Sequence, residues 1–513
     1  MPEDLWRIEK NKLILRRPFS SSDLGILQKY APRVRVFCPP GNVPGQDRIS
    51  LSIFQALAMM YARQPLFPNL EVLRWDQTRA SHLFAFTPLF LSNRLKILQL
   101  RLPRLSVEQL SFFITLPVLV PNVKVLNLSL ESQAWSHQDN DRTLTESLCQ
   151  WSCLASLTIQ DISIDDLFCI AKLPKLSCLF IRHNGPAWQK YSSNASGFAQ
   201  LSGFTNLQHP FSMLQSLALD DFTSSLRGLN EILRLFRDAL LVDLLINMKP
   251  DQDTMDNLQE LFRVLMQRCD HMPLRRFSFR FTTEIRSKSI SFTLFSPLMK
   301  FTSLNFVEIG GPAAVVVVEE QANQIASSWP NLRALKLGSV LNRQIPPKLM
   351  KLSALLLLSR NCPNLHTLEV AVNAADATEH DSLTKCPEDF RGVRNYMLKN
   401  LSVGASPIQN KEFIAIFLSE IYPAVKVTSK NPDDRAAARR WEYVGNVLLP
   451  MIVGARKRER DFLGVENSSS RGNLKGRATS EEQADPWFPI KDDISYIRAL
   501  EGRQVLKFEW PKE

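Results

Sequence analysis

Pro330-Asn331-Leu332-Arg333-Ala334-Leu335-Lys336-Leu337 is the stretch on which the fold turns. A proline and an asparagine lead into an apolar residue. Two residues of any kind follow, then a second apolar, one of any kind, and a third. The same phrase recurs at Leu70/Leu73/Trp75, Leu95/Leu98/Leu100, Val123/Leu126/Leu128, Leu154/Leu157/Ile159, Leu176/Leu179/Ile181, Leu214/Leu217/Leu219, Leu304/Val307/Ile309 and Leu365/Leu368/Val370. Weaker copies stand at Val34/Phe37, Leu241/Leu244/Ile246, Leu274/Phe277/Phe279 and Leu398/Leu401/Val403. From Leu70 to Leu398 the starts are about 30 residues apart on average. The lead-in returns as well, at Pro68-Asn69, Pro121-Asn122, Pro363-Asn364 and, with lysine, Pro174-Lys175. Chance does not repeat a punctuated phrase in this way.

The last two anchors alternate with their neighbours at period two, which predicts a short strand with one buried face. Between phrases lie helical signals. Ser106-Val107-Glu108-Gln109 and Thr143-Leu144-Thr145-Glu146 have the form of capping boxes. Leu226/Leu229/Leu233/Phe236 and Leu258/Leu261/Leu265 have helical spacing. Pro117, Pro174 and Pro273 stand where helices should stop. A strand followed by a returning helix in each repeat makes successive strands parallel. Ankyrin and TPR arrays pair helix with helix and lack the strand phrase. A doubly wound sheet would need longer strands and glycine-rich turns, which are missing.

On these residues the chain resembles a leucine-rich-repeat solenoid, an α/β fold with a curved parallel sheet on the concave face and helices on the convex face, over residues 34–425. Its repeats are irregular: the asparagine or cysteine that normally follows the strand stands only at Asn184 and Asn373. Cys362-Pro363-Asn364-Leu365 and the opening Tyr30-Ala31-Pro32-Arg33-Val34-Arg35 resemble fungal F-box/leucine-rich-repeat proteins. That resemblance implies a substrate receptor of a cullin-RING ubiquitin ligase. Pro2-Glu3-Asp4-Leu5-Trp6-Arg7-Ile8 resembles the opening of an F-box and Ser22-Asp23-Leu24 its second helix, whereas Leu13 to Pro18 reads as a strand. The closing element of an F-box is absent, so either the chain begins just after such a module or the module has diverged. No adaptor-contact residue is carried over.

Residues 1–33 are thus expected as an N-terminal cap or F-box remnant, 426–463 as a closing helix, 464–485 as a linker and 486–513 as a tail. Asn431-Pro432-Asp433-Asp434 reads as the start of the closing helix, with Trp441, Val444, Leu448, Met451 and Ile452 as its apolar stripe and Pro450 as a kink. Residues 190–210 and 373–392 read as long surface loops.

Composition narrows the function. Lys and Arg number 62 against 51 Asp and Glu, a formal charge of +11, and hydrophobic residues make up 45%. That is a mildly basic globular chain. No apolar run reaches the roughly 18 residues that span a bilayer. Acid at Glu3 and Asp4 disfavours a signal peptide. The 8 cysteines lie mostly in apolar segments and read as reduced thiols of a cytoplasmic or nuclear protein. The Asn-x-Ser sites at Asn127, Asn194, Asn400 and Asn467 are then chance matches.

No phosphate loop, dinucleotide fingerprint or His-Glu-x-x-His occurs. Cys149 and Cys153 are four apart, a spacing that would put two thiols on one helical face, but lack further ligands at zinc spacing, and the 7 histidines show no nucleophile pairing. Asp165-Asp166 reads as the first turn of a helix. The expectation is therefore no enzyme, no cofactor, no metal. Arg456-Lys457-Arg458-Glu459-Arg460 has the composition of a nuclear-import signal or a phosphate contact, and reads more readily as cations in the last turn of the closing helix.

In a leucine-rich repeat the residue between the second and third anchors points to the concave face. Those residues are Arg74, Gln99, Asn127, Thr158, Phe180, Ala218, Leu245, Ser278, Glu308, Lys336, Glu369 and Ser402. Both signs of charge occur, whereas a groove that tracks phosphates needs one. Nucleic acid is disfavoured on that ground and a protein partner favoured. Eleven strand steps give an arc of roughly 50 Å, room for about 800 Å² of interface. Arg74 and Phe180 are the first candidate contacts, followed by Arg276, Glu308, Lys336 and Glu369, with Gln99 and Asn127 in the same row. Trp75 and Trp329 are assigned to the core. The alternatives are an interaction protein with no ubiquitin link and an RNA-associated protein.

Overall fold

The computed structural model describes residues 2–9, 12–38, 48–61, 64–76, 81–102, 107–130, 144–160, 162, 164–182, 210–222, 229–230, 233–234, 236, 239–249, 254–267, 273–282, 289–311, 314–338, 349–375, 393–429 and 434–468. Two compact units divide the chain, Met1–Gly454 and Ala455–Glu513. The first holds a fourteen-stranded sheet. Its strands are β1 (Val36–Phe37), β2 (Val72–Asp76), β3 (Ile97–Leu102), β4 (Val125–Leu130), β5 (Ser156–Gln160), β6 (Cys178–Arg182) and β7 (Ser216–Phe222). They continue with β8 (Asp243–Met248), β9 (Arg276–Phe281), β10 (Phe306–Gly310), β11 (Ala334–Leu337), β12 (Thr367–Glu369), β13 (Asn400–Ser402) and β14 (Lys426–Thr428).

Every neighbouring pair is parallel, and spatial order follows chain order from end to end. This is the topology that the recurring phrase requires. It is an α/β leucine-rich-repeat solenoid with irregular repeats.

From Leu70 onward the three anchors of each phrase are buried on one side of the sheet, and the returning segments pack against them; Val34 and Phe37 of the first copy are half-buried. Leu258, Leu261 and Leu265 of the helix Thr254–Met266 share a core with Leu244, Ile246 and Phe277. The Phe262 ring lies 6.1 Å from Phe277 on β9 and 5.1 Å from Phe295 on the 3-10 segment Phe292–Lys300. Strands stack about 4.8 Å apart while packed helices need about 8–10 Å, so the sheet forms the shorter, inner side of each repeat stack. Trp75 and Trp329 lie in the core as expected, at 1% and 0% exposure.

The proline-asparagine lead-in has a structural cause. Behind the proline-asparagine lead-in the first anchor donates its N–H to the carbonyl three residues earlier: Leu70 to Phe67 (3.1 Å), Val123 to Val120 (3.4 Å), Leu332 to Trp329 (3.0 Å), Leu365 to Cys362 (3.1 Å). That closes a β-turn with proline at its second position, where a fixed φ near −65° fits and no donor is needed. Asparagine at the third position reaches back one repeat, from Asn69 Nδ2 to the Pro32 carbonyl and from Asn122 Nδ2 to the Asn93 carbonyl, both 2.8 Å. Buried donors at the first turn position do the same. Trp151 Nε1 donates to the Val120 carbonyl (2.9 Å), Trp329 Nε1 to Leu298 (3.3 Å) and Asn395 Nδ2 to Cys362 (3.2 Å). The missing asparagine ladder after the strand is thus replaced by a ladder before it. Of the two residues expected to supply the usual ladder, Asn373 caps a local turn to the Ala375 N–H (3.0 Å), and Asn184 lies outside the described residues.

Helices are placed as expected at Val107–Leu119, Ile164–Ile170 and Thr254–Met266. Pro117 does not stop its helix but sits inside it, two residues before the end. There its ring meets only one missing bond in the final turn.

At the N-terminus Trp6–Glu9 and Lys12–Leu15 pair antiparallel, and Lys12–Leu15 also pairs parallel with Arg48–Ile49. The helix Ser21–Tyr30 follows, opened by a capping box of Ser20 and Asp23. Asp23 is fully buried and accepts from Arg17 at 2.5 Å, an arginine that also binds Asp4 at 2.7 Å.

The closing helix begins later than expected. Asn431, Pro432 and Asp433 lie outside the described residues, and the N-cap is Asp434, which accepts from the Ala437 N–H at 2.9 Å. The helix Arg435–Tyr443 passes into a π-helical turn, Val444–Leu448, and then into the helix Leu449–Ser468. The extra residue of that turn rotates the apolar stripe. Trp441, Val444 and Leu449 are buried, whereas Met451, expected inside, is 64% exposed. Gly445 lets the turn approach β14: a Cβ there would stand 2.9 Å from the Val427 carbonyl.

The run Arg456–Arg460 lies in the middle of the helix Leu449–Ser468, so its cations do not serve the last turn, where the helix dipole acts. The serine-rich segment of 190–210 up to 209, most of the 373–392 loop, Ser106, Thr143, and the linker and tail beyond 468 lie outside the described residues. Among the described residues no helix is long and apolar enough to cross a membrane.

Two predictions follow from these bonds. Trp151→Phe keeps an aromatic ring, smaller than the indole, but leaves the buried Val120 carbonyl without its donor, and should lower stability by about 1–3 kcal/mol in urea unfolding. The Arg17 pair and the Ser20 hydroxyl hold the Asp23 carboxyl below its ordinary range. Its stabilisation is therefore present above the unfolded carboxylate value and lost as pH falls through the folded one. Amide protection over 21–30, relative to the intrinsic exchange rate at each pH, should fall below pH 4 in the natural chain, and Asp23→Asn should show that lower protection already at pH 7.

Candidate functional site: the exposed face of the sheet

Strand pairing carries one residue of each repeat into register with the next. Arg74 pairs with Gln99, Gln99 with Asn127, Asn127 with Thr158, and Thr158 with Phe180. The row runs on through Ala218, Leu245, Ser278, Glu308, Lys336, Glu369 and Ser402 to Thr428. All the residues expected to line the exposed face lie in this one row except Arg276, which stands two positions earlier on β9. Arg74, Gln99, Asn127, Phe180, Arg276, Glu308, Lys336 and Glu369 are each half-buried.

The structure brings only some of them together. Glu308, 13% exposed at its side chain, accepts from Ser278 Oγ (3.1 Å) and from the Arg280 guanidinium, and Lys336 Nζ lies 3.7 Å away. Lys336 also lies 5.5 Å from the centre of the Phe306 ring, whose other cation is Arg276 at 5.0 Å. Glu369 stands opposite Lys336 on β12.

Arg280, Glu308, Lys336 and Glu369 line a cavity of about 580 Å³ together with Asn247, Thr282, Ile309, Gly311 and Gly338. Such an ion-pair cluster contributes little stability at a half-exposed site, about 0–1 kcal/mol per pair. Its effect is positional: Arg280 and Lys336 are fixed on either side of a carboxylate, with donors left over for an anion.

A second group lies across β6–β8. The Arg182 guanidinium sits 5.7 Å from the Phe180 ring and 3.3 Å from Asp220, and Asn247 Nδ2 donates to Asp220 at 3.0 Å. Arg74, Gln99 and Asn127 stand near the other end of the sheet and share neither cluster.

Arg280, Phe306, Arg182, Asp220 and Asn247 were not singled out from the sequence. They occupy the exposed rows on either side of the one that the phrase marks, so the same spacing could have found them. What the spacing could not supply is which of them touch.

Cys149 and Cys153 do not share a helical face. Cys149 ends a helical turn, while Cys153 lies in the turn before β5. Burial, reinforced by the neighbouring Cys169 thiol, pushes the Cys149 thiol up to about 12. Asp166 is buried in the helix Ile164–Ile170 and accepts from Thr145 Oγ1.

Comparison with known proteins adds little. No protein-family model matches the chain, and no curated protein matches it. Among solved structures, internalin C2 of Listeria monocytogenes aligns at 16% identity over 46% of this chain and 71% of that one, with a TM-score of 0.20. The reading of the site therefore stands on its own geometry.

Gly311, on the cavity wall, has a φ of +107° and leaves no room for a side chain: a Cβ would stand 2.2 Å from the Phe281 carbonyl. Gly311→Ala should cost about 1–3 kcal/mol of stability in thermal unfolding, more than Gly25→Ala, where nothing lies within 4 Å.

Proposed function

We propose that this chain is a non-enzymatic recognition scaffold that holds a protein partner on the exposed face of the sheet, centred on the cluster of Arg280, Glu308, Lys336 and Glu369. The observation that carries this reading is the unbroken register of positions from Arg74 to Thr428, half-buried except for the buried Ser278 and the exposed Thr428. Over twelve strand steps of about 4.8 Å it spans roughly 58 Å, enough for a standard interface. Mixed charge with interleaved Phe180 and Phe306 suits a protein surface, where arginine and aromatic anchors dominate binding. In this scheme chemistry belongs to other subunits, and the scaffold supplies position alone.

The finer reading is a substrate receptor of a cullin-RING ubiquitin ligase, resembling fungal F-box/leucine-rich-repeat proteins. It rests on Pro2-Glu3-Asp4-Leu5, of which Leu5 is buried and Asp4 is bound to Arg17, and on the layout of a short N-terminal element before the repeats. A cytoplasmic or nuclear location accompanies it.

Affinity capture with the full chain tests both levels. A client should be recovered by the natural chain, lost with Arg280→Glu/Lys336→Glu, and kept with a double reversal on the helical side, Lys172→Glu/Arg263→Glu. Retention of all clients by the face variant overturns the scaffold reading. Failure of purified ligase adaptor to co-elute with the chain removes the ubiquitin link and leaves an interaction protein.

A further inference from the structure

The rows that precede the marked one differ from it in charge. On β9 to β14 the two positions before the second anchor are Arg275/Arg276, Asn305/Phe306, Arg333/Ala334, His366/Thr367, Lys399/Asn400 and Val425/Lys426. None is acidic. Backbone bonds stack them strand on strand: Asn305 to Arg275 (2.8 Å), Arg333 to Asn305 (2.7 Å), His366 to Arg333 (2.8 Å), Lys399 to His366 (2.9 Å) and Lys426 to Lys399 (2.8 Å).

Arg333, Lys399 and Lys426 are exposed. Among the described residues Arg276, Arg333, Lys399 and Lys426 pair with no carboxylate; Lys399 donates to the Tyr396 carbonyl at 3.1 Å and Arg276 covers Phe306. The other end of the sheet is different. There Arg35 and Lys96 share the Glu71 carboxylate at 2.9 and 2.7 Å, β4 carries Lys124, and the same positions on β5 to β8 carry no cation.

We infer that this strand-entry shelf, from Arg275 to Lys426, binds an extended acidic segment of a protein partner. The inference rests on the reading of the sheet face as a protein-binding surface and assigns the charge of what it holds. Three features argue for a peptide over a phosphate backbone. The shelf covers six strands, roughly 24 Å, and gives way on β5 to β8 to positions without a cation, with an acid, Asp243, on β8. Glu308 and Glu369 flank it in the next exposed row, where they repel a uniform polyanion but accept a basic or neutral side chain. Its cations lie mainly on alternate strands, about 10 Å apart, which matches every third residue of an extended chain at about 3.3 Å per residue.

The test uses the full chain and a fluorescent peptide of about nine residues with glutamate at every third position and serine or glycine elsewhere, a length of roughly 30 Å. Fluorescence anisotropy at low salt should show binding that weakens steeply as salt rises. Arg276→Glu/Arg333→Glu/Lys399→Glu should reduce affinity at least tenfold. A charge-matched control at the other end, Arg94→Glu/Lys124→Glu/Lys175→Glu, should change it less than twofold, with both variants retaining the far-ultraviolet spectrum of the natural chain. The corresponding glutamine triple guards against misfolding of the first variant and should lose several-fold.

Absence of binding by the natural chain, or equal losses in both triples, overturns the inference. So does tighter binding of a single-stranded RNA of equal charge that is lost in the shelf variant, which makes the shelf a phosphate surface. Client capture that survives while the peptide fails overturns the shelf alone; loss of capture by the face variant bears only on the broader reading.

Discussion

Parallel pairing of each strand with the one before it is the constraint on which everything else depends. A strand of two to seven residues cannot hold its own backbone donors and acceptors; it is stable only between two neighbours that satisfy them. Stacking also buries the three anchors of one repeat against those of the next, so burial and hydrogen bonding are secured by the same contact. Energy is then local along the chain: each repeat is held by its neighbours, and the two ends need covers. The hairpin and helix before β1 and the helix with Trp441 after β14 supply them.

That locality explains the tolerance for irregular repeats. The segments between strands vary from proper helices to 3-10 turns such as Ser81–Phe90, because nothing beyond the next repeat depends on their length. What must not vary is the entrance to each strand, where a β-turn reverses the chain and sets the register of the anchors. There the sequence is most repetitive, and there Trp151, Trp329, Asn69, Asn122 and Asn395 reach back one repeat with a donor. A buried carbonyl left unpaired at these points costs about as much as a lost core methylene or two, which is reason enough for a large indole at positions where a leucine would fill the volume.

The candidate site follows from the same register. Because strands align without slip, a residue type placed once per repeat becomes a row on the surface, and adjacent rows can carry different charge. The marked row is mixed and gathers Glu308 with Arg280, Lys336 and Ser278 around a cavity. The rows before it, on β9 to β14, are basic. A surface built of rows can present different chemistry along and across the sheet while the core beneath stays the same leucine pattern.

The sequence alone determined the repeat, the parallel order, the buried faces and the row from Arg74 to Ser402, since period-two burial and a fixed phrase leave one arrangement of strands. It also placed Trp75 and Trp329 inside. Tertiary structure decided what depends on contact between repeats of unequal length: that Glu308 rather than Arg74 is the centre of a charged cluster, that Arg276 reaches Lys336 through Phe306, and that Cys149 meets Cys169 rather than Cys153. It likewise decided the π turn at Val444–Leu448, which exposes Met451 by adding one residue to a helix whose stripe was counted at constant pitch. Anchors are legible because burial is repeated in every unit; side-chain partners are not, because each is set once, by the distance between two particular strands.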